Sequence, residues 1–142
     1  MIHVSPCAWY CFRLPDEGEW EVRDTDDRTW IAATNGSCGI EIAAARRTGK
    51  TEEGEVAEIH ERYLRDEGIQ ALNTVMAENP CRVLTYVTRG LGADEQEHIV
   101  CHAYWKSYCA FIKYKGRRDA DSRRQTQIFY DLVNSLEPLA LD

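Results

Sequence analysis

The 142-residue sequence has no long apolar run, and that absence sets the first limits on what the protein can be. Nothing approaches the ~20 consecutive apolar residues that span a bilayer as a helix, so no membrane segment is expected. Met1 to Tyr10 lacks a basic leader followed by an apolar stretch and a small-residue cleavage site. Low-complexity tracts, internal repeats and linkers are absent as well. Positive charge is in deficit: 17 Lys and Arg stand against 24 Asp and Glu, for a net charge of −7. That balance disfavours a general affinity for nucleic acid or for an anionic membrane. Apolar residues at 44% and charged residues at 29% are globular proportions. The length suits one core in one domain spanning residues 1–142. Together these features predict a soluble, cytosolic protein.

Six cysteines, Cys7, Cys11, Cys38, Cys81, Cys101 and Cys109, would suit three disulfides in a secreted domain. With no export signal they read as reduced thiols. If Cys7 and Cys11 share a strand, they lie about 13 Å apart, beyond the ~7 Å that a disulfide can bridge. Buried structural cysteine is the favoured reading.

Alternation of apolar residues every second position marks most of the chain as strand. Ala8, Tyr10, Phe12 and Leu14 share one side of a first strand, which Leu14-Pro15 ends because proline has no N–H for the ladder. Asp16, Glu17 and Gly18 form a turn into a second strand with Trp20 and Val22, and a third runs from Thr29 to Thr34. Asn35-Gly36 signals a hairpin into a fourth strand, Cys38 to Ala45. The first third of the chain therefore reads as an antiparallel meander.

After Gly49 the period lengthens. Val56, Ile59, Tyr63 and Leu64 recur at helical spacing, Thr51 is a candidate cap, and Gly68 is a candidate stop. From Gln70 to Asn79 the reading is open: Leu72, Val75 and Met76 permit a further helical piece. The period returns to two for Cys81 to Arg89, for Glu97 to Lys106 and for Tyr108 to Lys115. Ile99, Cys101, Ala103 and Trp105 fall on one face of the second of these. Ile128, Phe129, Leu132, Val133 and Leu136 then form a helical stripe that starts near Asp119 to Ser122 and runs to about Glu137. The order ββββ-α-βββ(β)-α predicts an α+β fold, an antiparallel sheet of about seven strands covered by two main helices as an α/β/α sandwich.

No pattern of catalytic residues emerges. His98 and His102 flank Cys101, with Cys109 nearby, which raises the question of zinc. On a strand, positions four apart are about 13 Å apart, too far for two nitrogens to share one ion. No metal or other cofactor is expected. A thiol paired with His60, His98 or His102 is the enzymatic alternative, a small-molecule-processing site on the sheet face. No cysteine sits on a nucleophile elbow or at a helix N-terminus. Gly49-Lys50-Thr51 matches the end of a P-loop, but the glycine required five positions earlier is Ala44.

The charges are unevenly placed. Lys113, Lys115, Arg117, Arg118, Arg123 and Arg124 face only Asp119 and Asp121, a local net of +4 that leaves −11 for the rest. With Tyr108, Phe111 and Tyr114 upstream, the stretch suits an acidic protein, a phosphate or a nucleic-acid backbone. A solvated turn accounts for the same charges and is favoured. Trp9 and Trp30 complete the candidate partner-binding set, because large rigid rings are enriched at interface hot spots. At least one of them is expected on the sheet face opposite Phe12.

The element order, with Phe12-Arg13-Leu14-Pro15 leading to Trp20 and Leu132-Val133-Asn134-Ser135-Leu136 closing the chain, resembles the PsbP-like superfamily. The resemblance implies an α/β/α sandwich that binds proteins and is mainly non-enzymatic. That group includes photosystem II extrinsic subunits, a Ran GTPase release factor, small bacterial lipoproteins and cytosolic chaperones for type VI secretion effectors. Without a lipid-attachment or transit segment, a cytoplasmic adaptor or chaperone with a protein partner is the branch the resemblance favours.

Overall fold

The structure is a computed structural model, and it describes residues 2–6, 9–13, 20–46, 53–106, 108–118 and 122–139. Strands β1 (Ile2–Val4), β2 (Tyr10–Arg13), β3 (Trp20–Asp24), β4 (Arg28–Ala33) and β5 (Cys38–Arg46) precede helix α1 (Glu53–Asp66). Then follow β6 (Gln70–Glu78), β7 (Leu84–Leu91), β8 (Glu97–Trp105), β9 (Tyr108–Gly116), helix α2 (Ser122–Ser135) and the short β10 (Glu137–Pro138). Seven strands form one antiparallel sheet in the order β3-β4-β5-β9-β8-β7-β6. The expected α+β sandwich is what the chain adopts.

Period-two patterning places the core. Ile99, Cys101, Ala103 and Trp105 of β8 point to one face, beside Ile112 and Tyr114 of β9 and Ile40 and Ile42 of β5. On that face α2 lays down Phe129, Leu132 and Val133, all buried. Each fully buried side chain of this size contributes about 1.5–3 kcal/mol relative to exposure. The opposite face of β8 presents Val100 and His102, over which α1 packs Val56, His60 and Leu64. Covered on both sides, β8 is buried along its whole length.

Several local features differ from the sequence reading. β2 does not join the meander: it pairs with β1 and with β10 in a separate three-stranded sheet, order β1-β2-β10. Tyr10 and Phe12 face the main sheet from there, so this small sheet and α2 together cover one face. α2 stops at Ser135, and after Leu136 the residues Glu137 and Pro138 return to β2 as a strand that the helical stripe had hidden. Ser135 Oγ accepts a hydrogen bond from Arg13 N at 2.9 Å, and Trp9 O accepts one from Leu139 N at 2.8 Å. The open segment from Gln70 is strand β6, all nine residues of it exposed. The Asn35-Gly36 turn joins β4 to β5 as expected, with Gly36 at φ 74° and Asn35 Oδ1 accepting from Ser37 N.

α1 ends at a left-handed Gly68, φ 65°, where Ile69 N reaches back to Leu64 O at 2.9 Å. The Leu14-Pro15 strand end, the turn at Asp16 to Gly18, the Thr51 cap, Asp119, Cys7 and the Gly49-Lys50-Thr51 segment lie outside the described residues. Cys11, Cys38 and Cys101 are buried, while Cys81 and Cys109 are half-buried.

Candidate functional site

α1 packs over β7 and β8 and reaches Phe111 and Lys113 of β9 with Tyr63; among the described residues a groove lies open on the same sheet face over β4, β5 and the Lys113–Gly116 end of β9. Strand register sets what is displayed there. Trp30 of β4 stands opposite Glu41 of β5, which stands opposite Lys113 of β9. In the adjoining row Ala32 is opposite Gly39, and Gly39 is opposite Lys115. The small residues of the second row leave room beside the large ones of the first. The result is a groove of about 570 Å³ bounded by Trp30, Gly39, Glu41, Lys113, Lys115 and Arg117.

The groove is electropositive in its free charges. Glu41 is already paired with Arg28, whose guanidinium also lies 6.0 Å over the Trp30 ring. Lys115 Nζ binds Asp94 Oδ2 at 3.0 Å. That ammonium, together with the Gln96 N–H and His98, holds the Asp94 carboxyl well below the usual carboxylate range. Among the described residues Lys113 meets no carboxylate, its ammonium lying 5.4 Å over the Tyr63 ring. Arg117 is exposed at the rim, its N–H donating to Ser37 O.

The basic stretch of the sequence thus divides among several places. Lys113, Lys115 and Arg117 border the groove with Trp30. Arg118 borders a different opening, with Gln70, Leu91 and Glu95. Arg124 lies at a hollow with Trp20 and Ile128, and Arg123 is exposed on α2. Trp30 is on the α1 side of the sheet, opposite Phe12. Trp9 instead packs against Tyr108 at 5.1 Å on the core side.

Beneath α1 lies a polar cluster joined from distant parts of the chain. His60 Nδ1 and His102 Nδ1 are 2.8 Å apart, so one donates to the other. His60 Nε2 is 2.6 Å from Thr88 Oγ1, which is 2.9 Å from Thr74 Oγ1. Either direction of donation along this chain satisfies the bond between the rings. Tyr63, Tyr86 and Phe111 surround the two imidazoles. Burial lowers His60 to about 4, and burial plus the neighbouring His60 lowers His102 to about 3. Both are therefore neutral at pH 7.

This cluster is built for packing more than for acid–base work, because it is sealed by α1. Cys101 projects to the opposite face from His102, and burial pushes its thiol up, away from the thiolate. His98 and His102 share a face of β8 four residues apart, and His98 turns instead to Asp94, at 3.2 Å. Among the described residues no three His, Cys, Asp or Glu side chains are grouped to hold a metal. Sequence reasoning treated His60 and His102 separately. The usable signal was the place of His60 on the apolar stripe between Val56 and Leu64.

Comparison with known proteins rests on shape. No family model and no curated protein matches the sequence. The solution structure of cyanobacterial PsbP (CyanoP) from Synechocystis sp. PCC 6803 superimposes with a TM-score of 0.73 at 8% identity, covering 97% of this chain and 91% of that one. The chain has a PsbP-like fold. A crystal structure from Bacteroides thetaiotaomicron VPI-5482 matches with a TM-score of 0.61, also at 8% identity, over 98% of this chain. The match covers 48% of that chain. Identity this low carries the architecture alone.

Proposed function

We propose that this chain is a non-enzymatic protein-binding module, a cytoplasmic adaptor or chaperone, whose groove receives an acidic segment of a partner protein. The observation that carries this reading is the convergence of Trp30 with Lys113, Lys115 and Arg117 on the part of the sheet face that lies open beside α1 among the described residues. A half-buried indole supplies area at low entropic cost, and the neighbouring cations favour carboxylates. Because Arg28 already neutralises Glu41, the groove holds no free carboxylate to repel them among its described residues.

Calorimetric titration with Asp/Glu-rich peptides containing one aromatic residue tests the reading, with their Lys-rich counterparts as controls. Binding is expected for the acidic set alone, weakening as salt rises. Lys113→Glu and Trp30→Ala should each weaken it at least tenfold, about 1.4 kcal/mol, without lowering the melting temperature. Equal affinity for both peptide sets, or an unaffected Lys113→Glu variant, would refute it.

A further inference from the structure

Among the described residues no strand pairs with the outer edge of β6, at the far end of the main sheet. β6 pairs with β7 on one side only, and all nine of its residues are exposed. Leu72, Val75 and Met76 are 54%, 49% and 56% exposed within five positions of one another. Natural edge strands are usually blunted by charge, proline or a covering element. The opposite edge, β3, follows that rule with Glu21, Arg23 and Asp24. Between Ala71 and Ala77, β6 has neither charge nor proline, and its one irregularity is a bulge between Ala71 and Asn73.

We infer that β6 is the seam of a homodimer, in which two copies set their β6 strands antiparallel about a two-fold axis and join their sheets. Opposed residues of antiparallel strands share a face, so a symmetric pairing must match positions of the same parity. Centring the axis on Val75 uses the regular run beyond the bulge: Val75 meets Val75, Thr74 meets Met76 and Asn73 meets Ala77. No charges are opposed within this overlap, and Glu78 falls outside it. On the α2 side, Val75 borders a hollow of about 180 Å³ with Val87, Tyr130 and Val133. That hollow seats the paired valines and extends the contact beyond the backbone ladder. Within the paired residues 73–77 the strand carries its own complement and no charge that would select a charged partner, which is why a second copy fits. The groove over β4, β5 and β9 lies at the other end of the sheet and stays open.

Light scattering on the eluting wild-type protein, over a range of loading concentrations, should read a mass twice the 16.3 kDa of one chain, falling on dilution. Val75→Lys, which sets two ammonium groups against each other at the axis, should read a single chain mass with an unchanged circular dichroism spectrum. Hydrogen exchange on the wild type needs no variant: the alternate amides among residues 73–77 that point away from β7 should be protected at high concentration and lose protection on dilution. A wild type of single mass at every concentration, a folded Val75→Lys that still reads double mass, or exchange independent of concentration would overturn the inference. So would β6 protection that arises only on adding a different protein, which would assign the edge to a foreign strand.

Discussion

Acidification from pH 7.5 to pH 5 is expected to remove about 4 kcal/mol of unfolding free energy through His60 and His102. The unfolded imidazoles titrate near 6.5, whereas the folded ones are held at about 4 and about 3. At pH 5 the unfolded chain has taken up nearly one proton at each site and the folded chain almost none. Each site then favours unfolding by RT times the logarithm of about 30, or about 2 kcal/mol. The sign follows from the depressed folded values: the contribution is fully present above 6.5 and is lost as pH falls toward the folded values.

At pH 5 neither ring is charged in the folded state, so the two losses add. Lower down, a proton on one ring opposes a proton on the other, 2.8 Å away. Asp94, held below its ordinary 3.8, loses its contribution only at pH values lower than this window. Against a typical domain stability of about 5–15 kcal/mol, the loss is large. Urea denaturation followed by tryptophan fluorescence at the two pH values measures it. The His60→Gln, His102→Gln double variant keeps polar side chains but no titrating ring, and should lose less than about 1 kcal/mol over the same interval. Equal losses in wild type and variant would refute the buried neutral pair.

Two further substitutions test the packing around the sheet. Asn79 is buried in the β6–β7 turn; its Nδ2 donates to Val133 O and Leu136 O at 3.1 and 2.9 Å, and its Oδ1 accepts from Cys81 N and Val83 N at 2.9 and 3.0 Å. Asn79→Ala removes all four bonds and should cost about 3 kcal/mol or more in urea denaturation; a loss below about 1 kcal/mol would mean water replaces them. At Gly90 an added Cβ would lie 2.5 Å from Gln70 O and 2.7 Å from Ile69 Cγ2. Gly90→Ala should therefore destabilise by about 1–3 kcal/mol, read as a lower melting temperature, and a neutral result would show that the β6 start can shift.

What could be read from the sequence was whatever local burial writes into a repeat. The face of β8 carrying Ile99, Cys101, Ala103 and Trp105 was legible because each of those side chains is buried on one side of a pleat. The α2 stripe of Phe129, Leu132 and Val133 was legible for the corresponding helical reason. β6 was not, because a strand exposed on both faces has no burial to impose a period of two, and the bulge after Ala71 interrupts what alternation remains.

Of the candidate groove, the residue types were legible and their grouping was not. Trp30 meets Lys113 only because β5 lies between β4 and β9, and that order is a property of the sheet. Likewise His60 and His102 are 42 residues apart, and nothing local in either segment encodes the other. The sequence by itself determined both helices, every strand of the main sheet except β6, their buried faces and the overall charge, since all of these follow from side-chain chemistry within a few residues. Which strands became neighbours, why β2 left the main sheet to pair with β1 and β10, and which polar groups were shut beneath α1 were decided by tertiary structure. Those choices depend on which distant surfaces exclude water together, and no segment carries that information alone.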